Sequence, residues 1–386
     1  MKRVSRKETT ENNSKYMMRS KDRHEKVSLS LTMDLITEIL TKLPPISVCK
    51  LIFVSKLWLS TIQGKFFTDL YLTRSLTRPL LIFQFYCPAK RHFCSSSPEN
   101  LSHDHSITPK TIPGLQISPP VRGLICCRDN DAKLFIVGNP STGQFLTLPR
   151  VEAWMKTASF FGYDPVNDLY KVFNMTLVKD KQGCFLSSEH QVYTLGAQNT
   201  WRMIECKCPH YPLTQGICNN GVVYYGAWSG CSGSQDKRSG VVVSLDMRSE
   251  EFSTMTLPEG VIITGQPNLV SYNGAIAFVN QSPNGRFDLW VLMDASKQEW
   301  TKISLLVPCW EDLVGKDKLC CRGTISSGEL VFEPCYSPCK YFIICYDSKK
   351  NKARRVDVER SRDHCVIRTR IFVDHVESPM FLPRTV

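Results

Sequence analysis

Seventeen cysteines and eight histidines are the residues of this chain best able to hold a metal or attack a substrate. Some cysteines come in pairs: Cys126-Cys127, Cys206/Cys208, Cys320-Cys321 and Cys335/Cys339. Structural zinc is held by Cys-x₂₋₄-Cys doublets, two of them at compatible separation. Only Cys335/Cys339 has a permitted spacing, and Pro334 and Pro338 flank it. Adjacent cysteines on a strand point to opposite faces and cannot share one ion. The pairs therefore read as packing residues, since a reduced cysteine behaves as a small hydrophobe. His103-Asp104-His105 falls in the polar Ser- and Pro-rich segment 95–120 and reads as a solvated loop. Gly230-Cys-Ser-Gly233-Ser has no following Lys-Ser/Thr and so is no phosphate cradle. There is no Gly-x-Ser-x-Gly nucleophile elbow. The expectation is a chain with no catalytic residue, no metal and no cofactor.

Size and charge narrow the alternatives. The 386 residues are 42% hydrophobic and 22% charged. That is enough apolar matter for a real core. Ten alanines stand against 39 aromatic residues, a balance that suits pleated sheet. The longest unbroken apolar run is Tyr341–Tyr346. A membrane helix needs about 20 such residues. Residues 1–26 are charged throughout and lack the apolar stretch of a secretory signal. A cytoplasmic or nuclear protein with reduced thiols is therefore expected. Net charge is +12, but residues 1–26 and 349–362 each carry +5. The rest is nearly neutral, unlike the basic face of a nucleic-acid-binding domain. Residues 1–28 read as a basic, disordered leader.

Residues 29–67 carry a helical pattern. Leu35, Ile36, Ile39, Leu40 and Leu43 form a stripe after a capping Thr32 and an acidic Asp34. Pro44-Pro45 should stop that helix. Ser47 should cap a second helix through Val48, Leu51 and Ile52, and Ser55 a third with Leu57, Trp58 and Ile62. So many large apolar groups exceed what about 40 residues can bury, which suggests a surface meant for a partner.

The string from Leu31-Thr32-Met-Asp34 through Glu38-Ile39-Leu40 and Leu43-Pro44, then Ser47 and Val54-Ser55-Lys56-Leu-Trp58, resembles an F-box over residues 29–72. The family usually has Pro directly after the first Leu, where this chain has Thr32; Thr caps a helix that Pro would otherwise start. The resemblance implies docking on a Skp-type adaptor, and through it on cullin and RING subunits. The implied adaptor-binding residues are Leu31, Leu35, Ile39, Leu43, Pro44, Val54 and Trp58.

From residue 79 onward the pattern changes to short apolar strands, with one unit repeated. An apolar strand ends in Asn139, Leu195, Asp246, Asp294 or Asp347, and position +6 carries Phe145, Trp201, Phe252, Trp300 or Ala353. The anchors recur at spacings of 56, 51, 48 and 53 along the chain. That is close to the ~50-residue period of a kelch-type propeller. Strands near 80–87 and 367–373 could add a blade or close the ring from both ends.

Arg78-Pro79-Leu-Leu-Ile-Phe, Val121-Arg122-Gly123-Leu124, Asn139-Pro-Ser-Thr-Gly-Gln144 and Phe161-Gly162-Tyr163-Asp164-Pro165 resemble the F-box-associated domain of plants. The expected fold is a small all-α F-box module followed by a large all-β domain over 79–386, β-propeller-like with about five to six blades. The function this implies is the non-catalytic substrate receptor of an SCF-type ubiquitin ligase. The alternative is a propeller scaffold whose F-box is vestigial or non-degradative. An enzyme on a propeller, such as a copper oxidase of kelch type, would need clustered Tyr, His and Cys ligands that the repeats do not assemble. Trp228 and Arg238, in an apparent Gly-rich loop 226–240, are the expected target-binding residues.

Overall fold

The structure, a computed structural model, describes residues 32–78, 80–86, 91–97, 116–129, 133–151, 157–179, 185–197, 200–229, 239–261, 263, 269–282, 284–336, 341–358 and 368–382. Leu31, Arg238, Cys339, the leader and His103–His105 lie outside them.

Four helices open the described chain: α1 (Met33–Leu40), α2 (Pro45–Leu51), α3 (Lys56–Gln63) and α4 (Lys65–Ser75). Thr32 caps α1, its hydroxyl accepting from the Leu35 N–H at 3.4 Å, and Ser55 caps α3 in the same way from Trp58. The second helix begins earlier than Ser47. Pro45 occupies its first turn, where a missing N–H costs nothing, so the double proline starts α2. The fourth helix follows no clean stripe because it is packed on two sides. Phe67 and Tyr71 enter a core with Ile36, Leu40, Val48 and Ile62, and the Tyr71 hydroxyl donates to the Leu43 carbonyl at 2.6 Å.

The described strands form six antiparallel sheets arranged as a six-bladed β-propeller. Strands β1 (Leu80–Tyr86) and β2 (Arg91–Ser96) follow the helices. The next sheet holds β3 (Gln116–Ile117), β4 (Ile125–Arg128), β5 (Phe135–Asn139) and β6 (Gln144–Thr147). The next holds β7 (Thr157–Asp164), β8 (Leu169–Lys179), β9 (Phe185–Thr194) and β10 (Arg202–Ile204). In the following blade the inner strand is split into β11 (His210–Pro212) and β12 (Ile217–Asn219), both paired with β13 (Val222–Ser229). Strands β14 (Ser239–Asp246) and β15 (Phe252–Thr256) complete it. Then come β16 (Leu269–Tyr272), β17 (Ala275–Gln281), β18 (Arg286–Asp294) and β19 (Glu299–Leu306). After a short helix α5 (Trp310–Val314), β20 (Leu319–Thr324), β21 (Leu330–Pro334), β22 (Phe342–Asp347) and β23 (Lys352–Asp357) form the last complete blade. Finally β24 (Arg368–His375) pairs with β1, so the two ends of the chain build one blade together and close the ring.

The repeated unit is the outer hairpin of five blades. Side-chain oxygens of Asn139, Asp246, Asp294 and Asp347 accept N–H groups two residues on, at 2.8–3.0 Å. Such bonds are how Asn and Asp mimic a backbone turn. The fourth residue after each, Gly143, Glu250, Gln298 or Asn351, takes positive φ. The position +6 side chain then packs into the apolar cluster shared with the preceding blade, in all five copies. Where that residue is Ala353, the same cluster receives Trp310 from α5, 5.0 Å from Phe287 and 5.4 Å from Phe332 between ring centres. Six such clusters each span two neighbouring sheets, so the core is divided among the gaps between blades.

Two expectations need correction. Cys320 and Cys335 are joined by a disulfide, with Cα atoms 5.5 Å apart, so the cysteines are not all reduced thiols. The pair is possible because the Cys335 N–H donates to the Lys318 carbonyl, bringing the end of β21 beside the start of β20. The loop at 226–240 is also shorter than the glycines suggested: β13 runs to Ser229 and β14 starts at Ser239. Gly226 and Gly240 are strand residues at tight contacts. A Cβ on Gly226 would meet Ile263 at 3.0 Å, and one on Gly240 would meet Leu257 at 2.6 Å.

Candidate functional site

In a blade the chain reverses at every strand, so turns after the first and third strands share one face of the ring. Turns after the second strand, and the crossings between blades, lie on the other. The helices sit on the first of these, the near face, and α4 makes the joint. Lys65 donates to the Tyr163 hydroxyl at 2.9 Å, which in turn donates to Asp168 at 2.6 Å. Arg122 is ion-paired with Asp69 of α4 and lies 4.4 Å from the centre of the Tyr163 ring. Its backbone takes positive φ in a tight turn with Gly123, which aims the guanidinium at α4. The Tyr163 bond raises the Lys65 ammonium above its ordinary range, and burial raises the Tyr163 phenol. On the other flank of α4, Arg74 is paired with Glu38 and donates to its carbonyl at 3.4 Å, near the C-terminus of α1. A cation there also suits the helix dipole. Arg74, and then Lys42, hold the Glu38 carboxyl below the usual carboxylate range.

The chain beyond β24 straps this joint. Asn139, fully buried, donates to the carbonyls of Ser378 and Met380, both at 2.9 Å. Met380 and Leu382 pack into the gap next to β5, while Phe381 packs on the helical core. Ser378 rests against Gly123, where an added Cβ would lie 2.5 Å from the serine Cβ. The Asn-Pro-Ser-Thr-Gly and Val-Arg-Gly phrases thus hold the two parts of the molecule together. Between α4 and the inner strands lies a cavity of about 600 Å³, lined by Leu72, Leu76, Arg122, Ile217, Arg322 and Ile371 among others.

The helices turn a different face outward. Leu35 is 51% exposed and Ile39 47%, one turn apart on α1. Val54 is 62% exposed and Phe53 81%. Pro44 is exposed, while Leu43 and Trp58 are half-buried against the module's own core. Met33, Ile46 and Leu57 are exposed as well, and none of the three was among the expected adaptor-binding residues.

The distal face carries the ends of β13 and β14, where the Ser229 and Ser239 hydroxyls lie 2.7 Å apart. Trp228 is a strand residue, half-buried, its ring stacked on Tyr211 with centres 6.0 Å apart. Near this face a second cavity of about 400 Å³ is lined by Gln116, Arg128, Thr157, Tyr211, Gln215 and Arg370 among others.

Cys206 and Cys208, read from the sequence as packing residues, are joined by His210 in the fold. Cys206, Cys208 and His210 bring their ligand atoms within 4.8 Å of one another, in the bend between β10 and β11. Their alternating spacing is no zinc signature, and only the bend and β13 bring in Tyr225, whose hydroxyl lies 2.6 Å from His210 Nε2. Burial pushes the Cys206 thiol up. Burial, and then His210, lower the neighbouring His190 imidazole to about 4, so it is neutral at pH 7. The buried Cys126 and Cys127 thiols are raised by burial, Cys127 to about 12, as inert packing residues should be.

Residues 78–376 match the family described as F-box associated beta propeller domain, and residues 28–69 match the F-box domain. The chain belongs to the F-box-associated β-propeller family. Among its Arabidopsis thaliana relatives, "F-box/kelch-repeat protein At3g04660" is 43% identical, with 92% of this chain and 94% of that protein covered. "F-box protein DOR" is 35% identical over 90% of this chain and 92% of its own. "F-box protein At3g49450" is 33% identical over 98% of each. An F-box followed by a propeller, in a family of F-box proteins, makes this a receptor-type F-box protein. Among the described residues no helix is long and apolar enough to cross a membrane.

Proposed function

We propose that this F-box propeller is the substrate-receptor subunit of an SCF-type cullin–RING ubiquitin ligase, working in the cytoplasm or nucleus. The helices dock on the Skp-type adaptor through Leu31, Leu35, Ile39, Leu43, Pro44, Val54 and Trp58. The distal face of the propeller holds the target protein. The chain performs no chemistry of its own; it raises the local concentration of target lysines at a separate conjugating enzyme. One observation carries this reading: a module with a filled core of its own still turns Leu35, Ile39, Phe53 and Val54 to water. Exposed apolar residues on that scale mark a protein interface.

Two features favour the distal face for the target. The near face is occupied by α4 and the strap, which engage Arg122, Asn139 and Tyr163. The distal face presents Ser229 and Ser239, the ends of β13 and β14, next to Trp228 and the cavity lined by Arg128 and Tyr211; Arg238 directly precedes Ser239 in the sequence. Loops on a rigid scaffold are where recognition residues concentrate.

The test is reconstitution with adaptor, cullin and RING subunits, followed by affinity capture from plant cells with the proteasome inhibited. Wild type should co-purify the adaptor and support ubiquitin transfer to a captured target; Leu35→Asp/Ile39→Asp should do neither. Adaptor binding without any ubiquitin transfer would favour the scaffold alternative. Unchanged adaptor capture by the double variant would reject the docking face.

A further inference from the structure

Cys206, Cys208 and His210 have no part in the joint, in the outward helical face or in ring closure. Their two sulfurs lie 3.9 Å apart. With zinc–sulfur bonds near 2.3 Å, the edge of a tetrahedral zinc site is about 3.8 Å, so the thiols already stand at the spacing of a shared ion. Among the described residues no other group of three or more Cys, His, Asp or Glu side chains is so placed. His210 is fully buried and held from both ends. Nδ1 is 2.7 Å from the Cys208 carbonyl and Nε2 2.6 Å from the Tyr225 hydroxyl. Whichever nitrogen turns to an ion, the other keeps an oxygen partner that fixes the ring, as histidine ligands of metals require. Beside it stands His190, 4% exposed, its ring centre 6.4 Å from that of His210 and its Nε2 without a hydrogen-bond partner. A buried ring nitrogen left unpaired calls for a ligand of its own. Cys206 and Cys208 are only half-buried, which gives an ion a way in.

We propose that Cys206, Cys208 and His210 bind zinc(II), with a water completing the four positions. Two thiolates and an imidazole are donors that select zinc over magnesium or calcium. The ion releases the two thiol protons and forms three protein bonds, with no change of oxidation state. It pins the crossing from β10 to β11, and His210 pairs with Ser229, the last residue of β13. The ion would thus brace the base of the surface proposed for the target, though the site stands whether or not that surface is used.

The full-length protein, reduced and stripped with a chelator, is titrated with zinc(II) and with cobalt(II) as a spectroscopic stand-in. Expected are one ion per chain, the intense visible bands of tetrahedral cobalt and a thiolate charge-transfer band. The double substitution Cys206→Ser/Cys208→Ser should abolish them, and Cys309→Ser, at an exposed cysteine elsewhere, should leave them intact. Zinc should also shield Cys206 and Cys208, but not Cys309, from alkylation in the unaltered chain, a readout that needs no variant to fold. The proposal is overturned by any one of four results: no stoichiometric uptake, octahedral cobalt without a thiolate band, uptake that survives the double substitution, or no shielding of these two cysteines.

Discussion

Leu35 and Ile39 leave about half of their surface in water on α1, while Phe83, Phe135, Phe278 and Phe332 between the blades are closed off from it. Both regions are rich in large apolar groups, and both have complete cores. The difference lies in what remains after the core is filled. Each blade has a neighbour on either side, so each apolar face finds a partner within the chain, and the last gap is closed by pairing β24 with β1. The helical module has only α4 and the strap to lean on, both on one side. Its other side stays open to water. Substitutions should therefore separate the two regions: changes between blades cost stability, whereas changes on the outward helical face cost binding alone.

The largest stability loss is expected at Glu333. This fully buried carboxylate is paired with Arg322, accepts from Tyr341 at 2.5 Å, and accepts the Ile371 N–H of the closing strand at 2.9 Å. Removing one partner of a buried pair leaves a charge without compensation, so Glu333→Ala should cost about 3–5 kcal/mol in chemical denaturation. A loss below about 1 kcal/mol would mean that ring closure does not depend on this node. Next comes Asn139→Ala, which strands two carbonyls of the strap at about 1–3 kcal/mol each. Hydrogen exchange at 376–382 should then speed up while the blades stay protected; unchanged exchange there would show that the strap is held by its apolar contacts instead.

His375 predicts a smaller, pH-dependent effect. Burial lowers its imidazole to about 4 in the folded protein. In an unfolded chain the ordinary value is about 6.5. Between those values the unfolded chain binds a proton that the folded one refuses, so stability falls as pH drops from 6.5 toward 4. At pH 5 the cost is about 2 kcal/mol. Glu377, whose carboxyl is raised by burial, works in the opposite sense, so the imidazole is isolated by comparison with His375→Phe. The variant should lose about that much of the pH slope; an unaltered slope would place the titration elsewhere. The smallest effect belongs to Thr32→Pro. Thr32 already has a negative φ in the range that a proline ring imposes, so the substitution adds no strain. Only the weak cap bond to Leu35, at 3.4 Å, is lost. Stability should change by less than about 1 kcal/mol, with adaptor binding kept or strengthened. A clear loss of affinity would mean that this module starts its first helix unlike its relatives.

How much of this could be read in the sequence follows from how local each device is. The outer hairpins were visible because a turn residue, a positive-φ position and an inter-blade aromatic fall close together along the chain. The inner strands were not: β3 (Gln116–Ile117) and β16 (Leu269–Tyr272) are too short to carry a period. Helix α4 hid its register by facing two bodies at once. The Asn-Pro-Ser-Thr-Gly phrase was distinctive as a string, yet its grip on Ser378 and Met380 at the far end of the chain exists only in the fold. The outward placement of Leu35 and Ile39 could be suspected from an excess of apolar residues, but only a filled core behind them turns excess into a surface.

Binding of the isolated Skp-type adaptor to the full chain, measured by calorimetry for wild type and for Leu35→Asp/Ile39→Asp, tests that surface most directly. The account predicts a one-to-one complex with wild type and no detectable binding by the variant, with the two proteins equally stable to denaturant within about 0.5 kcal/mol. Equal affinity for the two proteins, or a variant that loses binding only because it has unfolded, would contradict it.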